Sequence, residues 1–409
     1  MQAAARSLHA GSLQPSTAAA GVPWRSIAIE TDIAGLAETW RALEAHGLVT
    51  PYQSHGWIDA YARTIGKAER QVLRYAVLHD ASGAVCAILP LVITRRSGVR
   101  FAEFIGGKHA NYHMGLYARD FAARCDADLA RRMLGEIGAA IGGLDALVFV
   151  NQPVSWEGLP NPAALIPASP SPSAAYKLAL IPGDGEATLR RSMSSHARKK
   201  LKNKRVRFSE QGASSVHRAH EPAEIAALVD AFLGQKAERF RGMGLPDPFA
   251  DPAVRRFLIE GALPGPDGRA ALEVYGLELE GRCIATYVGA VQGQRFSGMA
   301  TAFDMTSSAV KTSPGELLLA ELIRRKCDEG YTSFDLGVGE ARYKTSFCDE
   351  RDALVDSFLP LTLKWRLFVR LAAAKRELKR RIKASPRALR LAQRVSGLLR
   401  RRPAALETE

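Results

Sequence analysis

Between Lys311 and Lys344 the chain gathers groups able to move protons beside a bound anion: Asp335, Glu340, Tyr343 and Lys344, preceded by Lys311-Thr312-Ser313-Pro314-Gly315-Glu316. Ser313 suits an N-cap, Pro314 the first helical position and Glu316 the first turn, so this loop opens a helix. Such a helix end offers free N–H groups and a positive dipole to a phosphate. Gly330 closes the helix, a strand is expected from Tyr331 to Leu336, and a glycine-spaced turn then carries Glu340, Tyr343 and Lys344. Asp335, between Phe334 and Leu336, is either a base whose pKa burial raises or a salt-bridge acid at a strand end. Glu340 either reaches an acceptor or is solvated. The Tyr343 phenol either supplies a proton or packs with its hydroxyl on a carbonyl. Lys344 meets an anion or stays on the surface.

Elements must position these groups, and the chain signals them twice. Arg74–His79 turns through Asp80–Gly83 into Val85–Val92; some two hundred residues later Glu273–Leu279 turns at Glu280-Gly281 into Cys283–Val288. Both are β-rich runs joined by short glycine turns. A helix ended by Gly142-Gly143 and a strand from Ala146 to Val150 follow the first hairpin, mirroring the helix and strand after the second, so two copies of one helix–hairpin–helix–strand unit are expected. Six prolines in residues 151–175 predict a surface connection between the copies. One long basic helix is expected from Thr188 to near Gly212, and another from Ala223 to about Phe240. On the first, Arg190 and Arg198 lie two turns apart, able to clamp an anionic acceptor, with Lys236 and Arg239 of the second joining them; a solvated charged face is the plainer alternative. The polar stretch Gly106–His113 is expected to line a cleft between the halves, and the histidines show no metal spacing.

With 409 residues and 47% hydrophobic content, the chain can bury two or three cores. Five scattered cysteines without a C-x-x-C pair argue against a disulfide framework or a cysteine zinc site and for a reducing compartment. The longest apolar run, Val85 to Ile93, is far too short to span a bilayer. Charge is concentrated: residues 360–402 hold 15 Lys or Arg against one acid, and residues 188–208 hold nine with none, so the remainder is acidic despite the formal +14. The tail reads as basic helix with an apolar stripe from Leu367 to Ile382, suited to peripheral contact with an anionic membrane through residues 364–402; sparse aromatics and the lack of a recognised motif make nucleic acid the weaker partner.

Taken together, LRRSMSSHARKKLKNKRVRFSEQG, QKAERFRGMG, GRCIATYVGA, SPGELLLAELI, GYTSFDLGVGE and YKTSF resemble the GNAT acyltransferases, in particular the double-GNAT branch of cellulose-biosynthesis-associated acetyltransferase-like proteins and FemAB-type aminoacyltransferases. The resemblance implies two tandem α/β domains, each a mixed, mostly antiparallel sheet flanked by helices. The divisions expected are a disordered leader (1–22), an N-terminal GNAT-like domain and connector (23–175), a C-terminal acyltransferase domain (176–360) and a basic helical tail (361–409). It implies acetyl-CoA or another acyl-CoA as co-substrate, no metal, and a donor cleft between splayed strands, with Lys311, Thr312, Ser313, Gly315 and Glu316 at the pyrophosphate. Asp335, Glu340 and Tyr343 would then be catalytic, and Arg190, Arg198, Lys236, Arg239 and Lys344 would bind substrate. The loop departs from the family's pattern of two spaced glycines, keeping Gly315 and adding Pro314, which has no N–H. Three readings follow: acyl transfer to a sugar or glycolipid precursor in extracellular polysaccharide or cellulose biosynthesis, in the cytoplasm or at the inner face of the membrane; aminoacyl transfer from tRNA; or a non-catalytic scaffold at the membrane.

Overall fold

The computed structural model describes residues 22–96 and 98–362, so the expected leader, apart from its last residue, and nearly all of the basic tail with its membrane contact lie outside the described residues. Along the first half run β1 (Ser26–Glu30), α1 (Ala37–His46), α2 (His55–Tyr61), β2 (Val72–His79), β3 (Val85–Arg96), β4 (Val99–Phe104), β5 (Leu116–Tyr117), α3 (Arg119–Arg124), α4 (Ala127–Ile141) and β6 (Ala146–Pro153). The connector holds β7 (Ser155–Trp156), β8 (Leu159–Pro160) and β9 (Ala168–Pro170). The second half follows with β10 (Ala175–Ala179), α5 (Gly185–Ser192), α6 (Ser195–Ser209), β11 (Ser214–Arg218), α7 (Pro222–Gly242), α8 (Pro252–Ala262), β12 (Leu272–Leu279), β13 (Arg282–Gln292) and β14 (Arg295–Phe303). It closes with α9 (Pro314–Asp328), β15 (Ser333–Val338), α10 (Arg342–Phe347), β16 (Glu350–Asp352) and β17 (Leu354–Pro360).

Two sheets form. One is ordered β1-β2-β3-β4-β6-β17-β9 with β5 paired to β3; the other is β11-β12-β13-β14-β15-β10-β16. In each, the hairpin strands lead antiparallel into a strand (β4 or β14) that pairs in parallel with the strand after the helix (β6 or β15). β10 pairs β15 within the second sheet, whereas β17, from the end of the second half, crosses to pair β6 and β9 of the first. The halves are therefore joined by one donated strand as well as by packing.

Three local expectations are corrected. The proline-rich connector is not a bare surface loop: Trp156, Asn161 and Ile166 are buried, the Trp156 indole N–H donates to the Val49 carbonyl at 2.9 Å, and Pro160 and Pro170 each end a short edge strand. The long basic helix is two helices, because Met193 is extended and Ser194 starts α6 as an N-cap, its hydroxyl accepting the Ala197 amide at 3.2 Å. Tyr343 and Lys344 stand on the short helix α10 rather than on a turn.

Helix α9 is fastened to its sheet by a fully buried ammonium. Lys326 Nζ lies 2.6 Å from both Glu273 on β12 and Glu329, with the rings of Tyr275, Phe296 and Tyr331 around it. Glu273 also takes Arg218 at 2.7 Å and the Tyr275 hydroxyl at 2.8 Å, so its two oxygens are satisfied, as buried charge requires. Between the halves, Trp57 of α2 stands edge-on to Phe257 of α8 with ring centroids 5.2 Å apart, and both belong to one apolar cluster that runs from Trp40 to Val288. Phe257→Ala is expected to cost about 3–5 kcal/mol. Because the core is shared, urea unfolding followed by Trp fluorescence and by far-UV CD should still give one coincident transition, moved to lower urea.

Candidate functional site

Strands β14 and β15 pair in parallel at Arg295↔Ser333, Phe296↔Phe334 and Ser297↔Asp335, and nowhere beyond. Two devices open the gap. A bulge where β13 pairs β14 skips from Gly289↔Gly298 to Val288↔Ala300, leaving Met299 out of the ladder. At the end of β15, Gly337 (φ 74°) and Gly339 (φ 102°) carry the backbone away through conformations that favour glycine. The result is a V-shaped slot with a backbone edge on each side. Gly315 of α9 begins beside its β14 wall: a Cβ there would lie 3.7 Å from Thr301 Oγ1 and from the Phe303 ring.

The mouth gathers side chains from three elements. Arg239 of α7 lies 5.9 Å above the Phe303 ring and its charge is felt by Tyr343 of α10. Burial raises the Tyr343 phenol above its usual pKa, with Arg239 opposing, so the hydroxyl keeps its proton at neutral pH. One turn before Arg239, Lys236 sits over Phe232 and Phe249 at 5.5 and 5.1 Å; burial first, then Arg239, lowers its ammonium to about 8. Lys344 is turned inward, its Nζ donating at 3.1 Å to the carbonyls of Gly337 and Val338, and burial lowers it also to about 8.

The other expected residues fall elsewhere. Asp335 lies at the closed end of the slot, fully buried; Arg295 Nη1 donates to one oxygen at 2.9 Å, the second oxygen has no partner, and burial raises its pKa in spite of Arg295. Arg295 in turn stacks 4.3 Å over Trp156 of the connector. Glu340 is exposed and pairs with Arg351 at 3.0 Å. In the phosphate loop, Lys311 is exposed and Thr312 is buried with its hydroxyl on the Ala309 carbonyl. Ser313 occupies the N-cap position with left-handed backbone (φ 56°) and no side-chain cap. The amides of Glu316 and Leu317 both donate to the Ser313 carbonyl, at 2.9 and 3.3 Å. With Pro314 lacking an N–H, Gly315 carries the one amide of that first turn not spent in this way. Glu316 itself pairs with Lys204 of α6 at 2.5 Å.

Arg190 and Arg198 do not meet Lys236 and Arg239. They line a separate groove of about 960 Å³ between α5, α6, β11 and α9, on the face of the second sheet opposite α7. Arg198 Nη1 donates to the Arg190 and Met193 carbonyls, so it caps α5, whereas Lys199, Lys202 and Arg205 keep the groove basic. Tyr52, Asn111 and Arg295 surround the closed end. Asn111 lies in the polar stretch Gly106–His113 expected to line a cleft between the halves; Tyr52 and Arg295, a lone tyrosine and a strand arginine, carried no signal in the sequence.

Residues 195–345 match the acetyltransferase (GNAT) domain family. Among solved structures the chain is similar to FemX (11% identity, TM-score 0.57, covering 84% of this chain and 99% of that one). It is also similar to a conserved protein of unknown function from Bacteroides thetaiotaomicron (12% identity, TM-score 0.51, 82% and 100% covered). A tandem GNAT protein from the clavulanic acid biosynthesis pathway aligns at 14% identity with TM-score 0.45, over 82% and 99%. No curated protein sequence matches the chain. Residues 195–345, which hold both walls of the slot, are therefore a GNAT-type acyltransferase domain. The two-sheet body as a whole has the fold of FemX.

Lys344 makes a prediction about the slot's rim. The folded protein releases its proton near pH 8, whereas the unfolded chain holds it to about 10.5. Unfolding therefore takes up a proton between these values, and the residue's contribution to stability rises with pH through that window. Lys344→Met should flatten this rise, read as the difference in urea midpoint from the parent protein between pH 7 and pH 10.

Proposed function

We propose that the protein transfers an acyl group from a phosphate-bearing carrier, with acyl-CoA the first candidate, to an amine or hydroxyl of a sugar or glycolipid precursor. The observation that carries this reading is the slot itself: two parallel strands that part after three paired residues, with a bulge on one wall and a helix end alongside. An extended acyl carrier laid there could hydrogen-bond to a strand edge while its carbonyl meets backbone near Met299, where a developing oxyanion needs donors. The acceptor attacks the carbonyl carbon, the carbon–sulfur bond breaks, and the thiolate takes the Tyr343 proton. Lys236, with its proton affinity lowered to about 8, is suited to receive the acceptor's proton, and Arg239 to hold anionic substrate. The acceptor class rests on the resemblance to polysaccharide-associated relatives in the sequence motifs.

One observation favours a second donor, aminoacyl-tRNA. With Pro314 at its start and the Glu316 amide spent on the Ser313 carbonyl, the α9 end has few N–H groups for a pyrophosphate, and the basic groove beside it would suit a larger polyanion. Titration calorimetry separates the two. Micromolar acetyl-CoA binding abolished by Gly315→Asp supports the CoA reading. Absence of CoA binding, with tRNA binding lost on reversing Lys199, Lys202 and Arg205 to Glu, supports the second. With whichever donor binds, Tyr343→Phe should lower kcat about 100-fold and leave KM nearly unchanged.

A further inference from the structure

We infer that Asn111, reaching across from the first half, closes the inner end of the slot and restricts the donor to short acyl groups; this rests on the acyl-transfer reading above. At the level where β14 and β15 separate, the strand backbone should have unpaired groups facing the gap. Asn111 takes two of them: its Nδ2 donates to the Gly298 carbonyl at 2.9 Å, and its Oδ1 accepts the Val338 amide at 3.3 Å. One side chain thus bridges both walls where the ladder would have continued.

The surroundings are shaped to this amide. A Cβ on Gly337 would come within 2.6 to 2.9 Å of the Asn111 carboxamide, and Gly337 has φ 74°, so the β15 backbone bends around it. On the facing wall a Cβ on Gly298 would lie 2.2 Å from the Tyr287 hydroxyl. Behind Asn111, its Nδ2 also donates to the Tyr52 hydroxyl, which is 2.8 Å from Ser297 Oγ at the last paired position. Tyr52 is fully buried between Trp57 and Tyr112. The segment bearing Asn111 is tied down on either side, by Gln53 Nε2 donating to the Tyr112 carbonyl at 3.2 Å and by the His113 amide donating to the Asn151 carbonyl at 3.2 Å. Asn111 itself is only partly buried, as the end wall of an open slot should be. An acyl chain growing past this wall must displace the carboxamide and leave the Gly298 carbonyl and Val338 amide without partners, a penalty a short acyl group avoids.

The test is chain-length selectivity with acetyl-, butyryl-, hexanoyl- and octanoyl-CoA. The parent protein should prefer the short thioesters. Asn111→Ala should raise kcat/KM for hexanoyl-CoA relative to acetyl-CoA about tenfold or more, the scale of methylene discrimination in a pocket. Asn111→Gln, which pushes the amide further into the slot, should depress acetyl transfer. Asn111→Ser replaces the alanine variant if that fails to give a cooperative melt. A parent protein that uses octanoyl-CoA as well as acetyl-CoA, or a variant that changes both donors equally, overturns the inference. Hydrogen exchange reads the closure without any donor: residues 336–340 should lose protection in Asn111→Ala, and unchanged exchange overturns the closure. If the parent protein binds no CoA thioester, the CoA reading falls, and the exchange result alone decides whether Asn111 closes the slot.

Discussion

Where β14 and β15 part, two strands of a buried sheet lose each other's hydrogen bonds, and a polar backbone inside a protein must find other partners. Much of the surrounding architecture answers that deficit. The Gly298 carbonyl and the Val338 amide are taken by Asn111, and the carbonyls of Gly337 and Val338 by Lys344. A carboxamide can serve both walls because it has a donor and an acceptor a fixed distance apart. An ammonium serves the turn because it only donates. The slot is held open by groups chosen for hydrogen-bond polarity, and the same groups define its inner limit.

This arrangement makes the first half part of the site without needing chemistry of its own. Tyr52 and Asn111 reach the seam directly, and Trp156 supports it through Arg295. Arg295 holds Asp335 at the paired end, and its guanidinium rests on the Trp156 ring. The donation of β17 to the first sheet, together with the Trp57–Phe257 contact, resists relative movement of the halves. A side chain from one half can then act as a reliable wall for a slot in the other.

Helix α9 shows how stability and binding compete for the same element. Its middle is anchored by Lys326 on Glu273, a buried ion pair whose partners are all present. Its N-terminus, in contrast, lacks one amide at Pro314, spends the Glu316 amide on the Ser313 carbonyl and carries the Glu316 carboxylate, which Lys204 neutralises. A helix end tuned for a free pyrophosphate would keep both of those amides available and avoid a carboxylate. The basic side chains of α6 line the groove beside it.

The order of elements was legible in the sequence because its signals are local. Glycine turns marked both hairpins, Pro314 and Gly330 bounded α9 closely, and the matching patterns gave two related units. Ser194 could have broken the basic helix, since serine before a helical run is an N-cap signal, but the run of charge concealed it. The destinations of side chains were not legible. Arg198, an anion clamp or a solvated charge by its sequence, also caps α5; Lys344, an anion ligand or a surface lysine by its sequence, is buried on two carbonyls; Asn111 pairs with residues 187 and 227 positions away. By itself, then, the sequence determined the strands, helices and turns of this acyltransferase, because periodicity and capping act over a few residues. Only the tertiary structure decided which polar groups meet at the slot, because those partners come from opposite halves whose register is set by packing and the donated strand.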